Sequence, residues 1–232
     1  MTVRRTTSNI AGSCLAGLIL SLGSAFQAAA QAACPPAPNA PSVSLRVKPG
    51  AVVVNNGHSR QGLQSQRARQ PAAPRLAKGW APVGLTATET EFSMNLRVNA
   101  IPDGRGGYCG YLDTVNATVG YDRLTVYIAR RYRPGSCQYN SIMEHEKLHV
   151  LVFRRALERY APRLERRLNT LAGHQRPVVA ASPKQVAALY KERLFRDIQP
   201  LIKEMHREQD HSNAKLDTPE NYKREQTRCA EW

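Results

Sequence analysis

The spacing of apolar residues changes at Cys137, and this change limits the folds that the chain can adopt. Before Cys137, apolar and polar residues alternate in short runs, which indicates half-buried strands. After it, apolar residues recur at spacings of three and four, which indicates amphipathic helices. The sequence therefore predicts an α+β protein, with an antiparallel, β-rich N-terminal region followed by a long C-terminal α-helical hairpin.

Strand patterns in the N-terminal half are separated by turn-forming residues. A first strand is predicted over residues 42–48, and three more lie between residues 85 and 132, with turns at Asp103-Gly104 and Gly120. Consecutive strands joined by short turns are typical of an antiparallel meander. Residues 57–79 contain almost nothing to bury, which predicts a long exposed loop.

The helical half contains recognisable start and stop signals. Asn140 or Ser141 can cap the first helix, Pro162 is expected to kink it, and Gly173 is expected to end it. Pro183 is suited to the first turn of a second helix. Two long helices joined by a short connection predict the hairpin.

The first helix contains the stretch "HEKLH", residues 145–149. Its two histidines lie four positions apart, so on a helix they project from one face and can both bind one ion at about 2.0–2.1 Å. Glu146 is placed to reach a water molecule on that metal and to act as general base. This is the HExxH arrangement of the zincins, and it predicts one Zn²⁺ per chain.

Two observations separate this motif from an accidental pair of surface histidines. The composition of the chain gives an expected number of only about 0.01 such matches. His145 and His149 also continue the apolar stripe of Ile142 and Val152, and buried histidines need partners that a metal would supply.

The third ligand must come from later in the chain. A metzincin would have glycine and histidine where this chain has Val152 and Arg155, so that class is excluded. His149 lies 24 residues before Gly173. A helix that starts at Pro183 and returns antiparallel would pass the motif about 24 residues later, near residue 207.

Several residues near that point can bind zinc. We expect His206 to be the ligand, with Asp210 as its supporting partner. The alternatives are Asp210 itself, His211 and Asp217. Tyr222 could stabilise an oxyanion, although a packing role is the simpler interpretation.

Residues 1–30 have the layout of a cleavable secretory signal peptide, with Arg4-Arg5, an apolar run and then small residues. Gln31 stands where a lipobox requires a leucine-like residue, which argues against lipoprotein anchoring. No later segment is apolar enough to span a membrane. We therefore expect a periplasmic or secreted protein.

The cysteines agree with export to an oxidising compartment. An even number remains after removal of the signal peptide, and three pairings are possible. The pairing that we favour is Cys109–Cys137 with Cys34–Cys229.

The formal charge of +15 suits anionic envelope polymers as partners. The sequence contains no nucleic-acid-binding module, so no nucleic-acid partner is expected.

Together, the signal peptide, the β-rich region, a cysteine shortly before "HEKLH" and the helical hairpin resemble a bacterial family of predicted secreted zinc-dependent proteases. That family is a domain of unknown function with a minigluzincin-like core. The resemblance covers about residues 84–229 and implies that His145 and His149 are ligands and Glu146 is the base. The family commonly has an aspartate–threonine element in its C-terminal region, which Asp217-Thr218 resembles.

These features predict a signal peptide (1–30), a leader with a strand and a basic loop (31–83) and a zincin-like metallopeptidase domain (84–232). We expect a peptide or protein substrate, bound by β-addition to a strand over residues 123–132. The alternative is a non-catalytic envelope protein with a structural zinc site and a basic surface that binds anionic partners.

Overall fold

A computed structural model describes residues 34–68 and 81–232, and Cys34–Trp232 form one compact unit. The predicted signal peptide lies outside the described residues. In chain order the elements are β1 (Ser42–Lys48), β2 (Ala51–Asn55), α1 (Arg60–Ala68), β3 (Gly84–Pro102), β4 (Tyr108–Ile128), α2 (Cys137–Gly173), β5 (Val178–Ala180), α3 (Pro183–Leu216) and α4 (Pro219–Gln226). The mixed α and β content confirms the broad α+β prediction.

Strand β4 is the centre of the sheet. β3 lies antiparallel along one side of β4, while β1 and β2 pair parallel with β4 and the short β5 pairs antiparallel. The sheet is therefore mixed, and the prediction of an antiparallel region is not borne out. No short turn joins β1 or β2 to β4, so no hairpin sets their direction.

The predicted turn at Gly120 is wrong, because β4 continues through this residue. Gly120 has a φ of 146°, and a Cβ atom there would lie 1.9 Å from the carbonyl oxygen of Lys48. Glycine is thus required for the close approach of β1 to β4. The turn at Asp103 is confirmed, since its side chain accepts hydrogen bonds from the backbone N–H groups of Arg105 and Gly107. One long β3–β4 hairpin replaces the predicted meander.

Both long helices contact the sheet through its central strand. The Tyr121 hydroxyl of β4 donates to the carbonyl oxygen of Phe153 in α2, at 3.0 Å, and accepts a hydrogen bond from Gln209 in α3, at 2.6 Å. Alternate residues of β4, including Leu124 and Val126, are buried in the shared core. The core therefore lies between the sheet and the helical hairpin.

The helix ends match the sequence signals, with one exception. α2 ends at Gly173 and α3 begins at Pro183, as predicted. α2 begins earlier than expected, because Ser136 is its N-cap and accepts a hydrogen bond from the backbone N–H of Tyr139. Pro162 lies inside this continuous helix.

Part of the predicted loop 57–79 is helical. α1 is held by Leu63, whose side chain is fully buried, and is preceded by Ser59, whose hydroxyl accepts a hydrogen bond from the backbone N–H of Gly62. Burial of this one leucine in the core stabilises a short helix, because helices in proteins depend mainly on tertiary packing. The low average hydrophobicity of residues 57–79 therefore did not predict the helix. Residues 69–79 lie outside the described residues.

The two disulfides are Cys34–Cys109 and Cys137–Cys229, so the favoured pairing was wrong. The parallel register of β1 places Ser42 opposite Thr114, and this brings the leader before β1 to the start of β4, where Cys109 lies. Disulfides are typical of oxidising compartments, which is compatible with a secreted or periplasmic protein. Within residues 34–68 and 81–232, no helix is both long and apolar enough to cross a bilayer.

Candidate metal site

The three polar residues of the motif are all buried on the inner face of α2. His145, Glu146 and His149 are only 5%, 4% and 7% exposed. Their ligand atoms lie within 4.8 Å of one another, so the group is able to hold a metal ion. Burial of three ionisable side chains is costly unless they are paired with each other or with a cation.

A third donor, Asp217, comes from the C-terminal end of α3. Its Oδ1 atom lies 3.2 Å from His145 Nε2 and 3.3 Å from His149 Nε2, and the two Nε2 atoms are 3.1 Å apart. Donors about 2.0–2.1 Å from one tetrahedral ion are separated by about 3.3 Å. The three atoms thus form a nearly equilateral triangle of the size that one ion requires.

Both imidazoles are held in the orientation that a metal requires. His145 Nδ1 lies 2.8 Å from Glu225 Oε1, and His149 Nδ1 lies 2.9 Å from Asn213 Oδ1. When each Nδ1–H donates to its oxygen acceptor, the neutral ring has its lone pair on Nε2. Both lone pairs then point towards Asp217.

Tyr222 of α4 lies beside the same group. Its hydroxyl donates to Asp217 Oδ1, and its ring centroid is 5.3 Å from that of His145. The Tyr222 side chain therefore contacts two of the three donor residues, Asp217 through its hydroxyl and His145 through its ring.

Glu146 lies beside this triangle and also contacts the beginning of β3. The hydroxyl of Thr86 lies 2.7 Å from Glu146 Oε2. Gly84, two residues earlier in β3, leaves open the space beside Glu146 Oε1. The carboxylate is thus held between a helix and a strand.

The carboxylates around the two histidines favour positive charge in the metal-free site. Burial lowers the pKa of His145, but hydrogen bonds to Asp217 and Glu225 outweigh it and raise that pKa to about 10. Burial lowers the pKa of His149 too, but the hydrogen bond to Asp217 and the charges of Glu146 and Asp217 together outweigh it and raise that pKa. Burial raises the pKa of Asp217, but hydrogen bonds from both histidines hold it well below its usual range.

Burial dominates at Glu146. It raises the pKa of this carboxyl group, while the two neighbouring imidazoles oppose the rise. A carboxyl group whose pKa moves towards neutral pH is better suited to accept and release a proton.

The structure brings Asp217 to the motif rather than the preferred candidate His206. In the described part of the chain, no hydrogen bond or ion pair joins His206, Asp210 or His211 to either motif histidine. His206 Nε2 is buried without a hydrogen-bond partner.

The register between the helices explains this difference. Arg163 of α2 pairs with Glu204 of α3 at 2.9 Å. The connection between the helices includes β5, which pairs with β4, so α3 begins beside the sheet rather than beside the end of α2. Tyr190, in the second turn of α3, accordingly donates to the carbonyl oxygen of Gly110 in β4. Helix α3 therefore reaches the level of the motif at Asp217, about two to three helical turns further along the chain than the position near residue 207 that a tight hairpin predicts.

Three residues of the site were missed by the sequence analysis, namely Thr86, Asn213 and Glu225. Thr86 and Glu225 lie 60 and 80 residues from their partners in the motif. A threonine in a strand and a glutamate in a charged tail have no distinguishing pattern. Asn213 could have been found from the sequence. It lies four residues before Asp217, so a metal ligand at Asp217 would place Asn213 on the same helix face.

The donor set fits a zinc ion. Two imidazoles, once deprotonated at Nε2, and one carboxylate are ligands that zinc takes, and Glu146 lies beside them. The second oxygen acceptors on both histidines are also typical of metal-binding imidazoles.

Comparison with known proteins identified no relative. No protein-family model matches the chain, and no curated protein or solved structure matches it. The assignment of a function therefore rests on the geometry of this site.

Proposed function

We propose that the protein is a secreted or periplasmic zinc-dependent metallopeptidase of the zincin type. His145, His149 and Asp217 are its metal ligands, and Glu146 is its general base. The single observation that carries this proposal is the triangle of donor atoms, with sides of 3.1, 3.2 and 3.3 Å, directly beside a buried glutamate. This replaces His206 with Asp217 as the proposed third ligand.

The residues of the site divide the chemistry between them. Bound zinc supplies Lewis acidity, which lowers the pKa of a water molecule towards about 7 and polarises a peptide carbonyl. Glu146 accepts the proton of the attacking water on its carboxylate and passes it to the leaving amine. Glu225 and Asn213 keep the two imidazoles in the tautomer that directs Nε2 inwards.

Strand β3 is the best-placed edge for an extended peptide. The segment expected to accept a peptide, residues 123–132, begins in β4, which is paired with β2 on one side and β3 on the other. It has no free edge there. β3 pairs only with β4 among the described residues, and its first residues contact Glu146. A peptide added to β3 would pass beside the general base.

The first experiment is elemental analysis of the oxidised protein, residues 31–232, purified without chelator or a histidine tag. We expect about one zinc per chain. Absence of zinc after reconstitution would contradict the proposal.

The second experiment tests hydrolysis of casein and of quenched fluorescent peptides by the zinc-loaded protein. We expect Glu146→Gln to bind zinc normally and to lose activity by about 100- to 10,000-fold. Glu144→Gln is the matched control, because Glu144 is an exposed glutamate on the same helix, 2.7 Å from Lys147. Its activity should equal that of the wild type.

The charge of the chain favours a second candidate function. A formal charge of +15 suits a non-catalytic envelope protein that binds anionic polymers and uses zinc for stability. A protein that holds one zinc, hydrolyses none of these substrates and is retained on an anionic matrix at physiological salt would support this alternative.

A further inference from the structure

The carboxylate of Glu146 is held by β3 rather than by its own helix. Glu146 Oε2 lies 2.7 Å from the hydroxyl of Thr86, a residue 60 positions earlier in the chain. Hydrogen bonds to an ionised carboxylate are shorter and stronger than those between neutral groups. Thr86 is itself buried, so water does not compete for this contact.

The other carboxylate oxygen occupies space that only glycine leaves free. A Cβ atom on Gly84 would lie 2.3 Å from Glu146 Oε1 and 2.6 Å from Ile142 Cγ2. Both distances are too short for atoms that are not bonded. Gly84 is therefore needed for space and not for an unusual backbone conformation.

The two contacts form one interlocking unit. Gly84 and Thr86 are two positions apart in a strand, so they face the same side, towards α2. Ile142 and Glu146 are four positions apart in a helix, so they face the same side, towards β3. The Thr86 hydroxyl also lies 3.2 Å from the backbone carbonyl oxygen of Glu146, which places the strand at this turn of the helix.

We propose that Thr86 and Gly84 are positioning residues for the general base, with Thr86 anchoring one carboxylate oxygen of Glu146 and Gly84 leaving the space for the other. This inference rests on the proposed peptidase function. A glutamate has three rotatable side-chain bonds, and a misplacement of about 1 Å can cost about 100-fold in rate. The strand that is best placed to seat a peptide is then also the strand that sets the position of the base.

The first test removes only the hydroxyl, with Thr86→Val in the full zinc-loaded protein. We expect kcat to fall about 10- to 100-fold, with KM within threefold of the wild type and about one zinc per chain. Thr86→Ser restores the hydroxyl and should return kcat to within about threefold. Thr118→Val is the matched control, because Thr118 lies in β4, outside the proposed site and the proposed peptide-binding edge, and its hydroxyl makes no hydrogen bond within residues 34–68 and 81–232. Its kcat should be unchanged.

The second test fills the space beside Oε1, with Gly84→Ala. The added methyl group must displace the carboxylate or Ile142, so we expect kcat to fall at least as far as in Thr86→Val. Gly173→Ala is the control, because a Cβ atom there meets no other atom within 4 Å. Circular dichroism and thermal melting identify any variant that fails to fold. If Gly84→Ala does not fold, Thr86→Val, which conserves the shape of the side chain, tests the positioning role by itself.

Crystal structures of zinc-loaded wild type and Thr86→Val separate this inference from the proposed function. A Glu146 carboxylate that turns away in Thr86→Val supports the positioning role, even if the wild type hydrolyses nothing and the peptidase proposal fails. An unmoved carboxylate, or a kcat within twofold of the wild type in an active enzyme, would overturn the positioning role.

Discussion

Glu225 Oε1 lies 2.8 Å from His145 Nδ1, so a residue of the last helix orients a proposed metal ligand in the first long helix. The carboxylate is the acceptor that holds the ring with Nε2 facing Asp217 and His149. Such supporting contacts commonly account for 10- to 100-fold in metal affinity.

We expect Glu225→Gln to weaken zinc binding by about 10- to 100-fold, because the amide is a weaker acceptor and can present its NH₂ group instead. Competition with a chromogenic chelator measures this. Glu220→Gln is the control, since Glu220 is an exposed glutamate in the same helix. Equal affinities for the two variants would show that Glu225 does not orient His145.

The identity of the third ligand can be tested by a pair of substitutions. Asp217→Ala removes one corner of the donor triangle, so we expect it to lower zinc content well below one per chain after gel filtration. His206→Ala should retain one zinc per chain, because within the described residues no hydrogen bond or ion pair joins His206 to either motif histidine. Loss of zinc in His206→Ala, with one zinc per chain retained in Asp217→Ala, would identify His206 as the third ligand instead.

Disulfide Cys137–Cys229 should affect the metal site, whereas Cys34–Cys109 should not. α4 has no buried residue, and Cys229 follows it by three residues, so this disulfide ties the helix with Tyr222 and Glu225 to the start of α2. Replacing either pair by serine should lower the free energy of unfolding by about 2–4 kcal/mol.

The two variants should differ in zinc affinity. The disulfides span similar separations of 92 and 75 residues, so they are matched in loop length. We expect only the Cys137/Cys229 variant to bind zinc more weakly, by about tenfold, as judged by chelator competition. An equal loss in both variants would point to general destabilisation.

The stability of the metal-free protein should depend on pH through His145. Its pKa in the folded protein is about 10, against an ordinary value of 6.5, so protonated His145 favours folding. This contribution is fully present below pH 6.5 and is lost as the pH rises through about 10. The titratable groups that face His145 are Asp217, Glu225, Glu146, His149 and Tyr222.

Thermal melting in the presence of chelator measures this contribution. We expect the midpoint to fall between pH 7 and 10 in the wild type and to fall less in Glu225→Gln, which weakens one of the two hydrogen bonds that raise the pKa of His145. Zinc must displace these protons, so zinc affinity should rise over the same range. A midpoint independent of pH would contradict the electrostatic description of the site.

Local spacing determined the features that the sequence predicted correctly. His145 and His149 share a face because four residues make about one helical turn, whatever surrounds the helix. Gly173 and Pro183 mark helix ends because glycine favours the C-terminus of a helix and proline favours its first turn, whatever the surrounding structure. The turn at Asp103 is likewise built from hydrogen bonds within five residues.

The choice between Asp217 and His206 depended on the tertiary structure. A tight hairpin was the simplest assumption from sequence, but β5 joins the sheet between the helices and shifts their register. The parallel direction of β1, and with it the Cys34–Cys109 disulfide, depends on pairing between segments about 70 residues apart.

The sequence by itself determined that two histidines and a glutamate would lie on one face of a helix. Only the tertiary structure decided what surrounds them, namely Asp217 as the third donor, Glu225 and Asn213 as acceptors and Thr86 beside Glu146. The reason is physical. Helical periodicity acts between neighbours in the chain, whereas the register between distant elements is set by how the whole core packs.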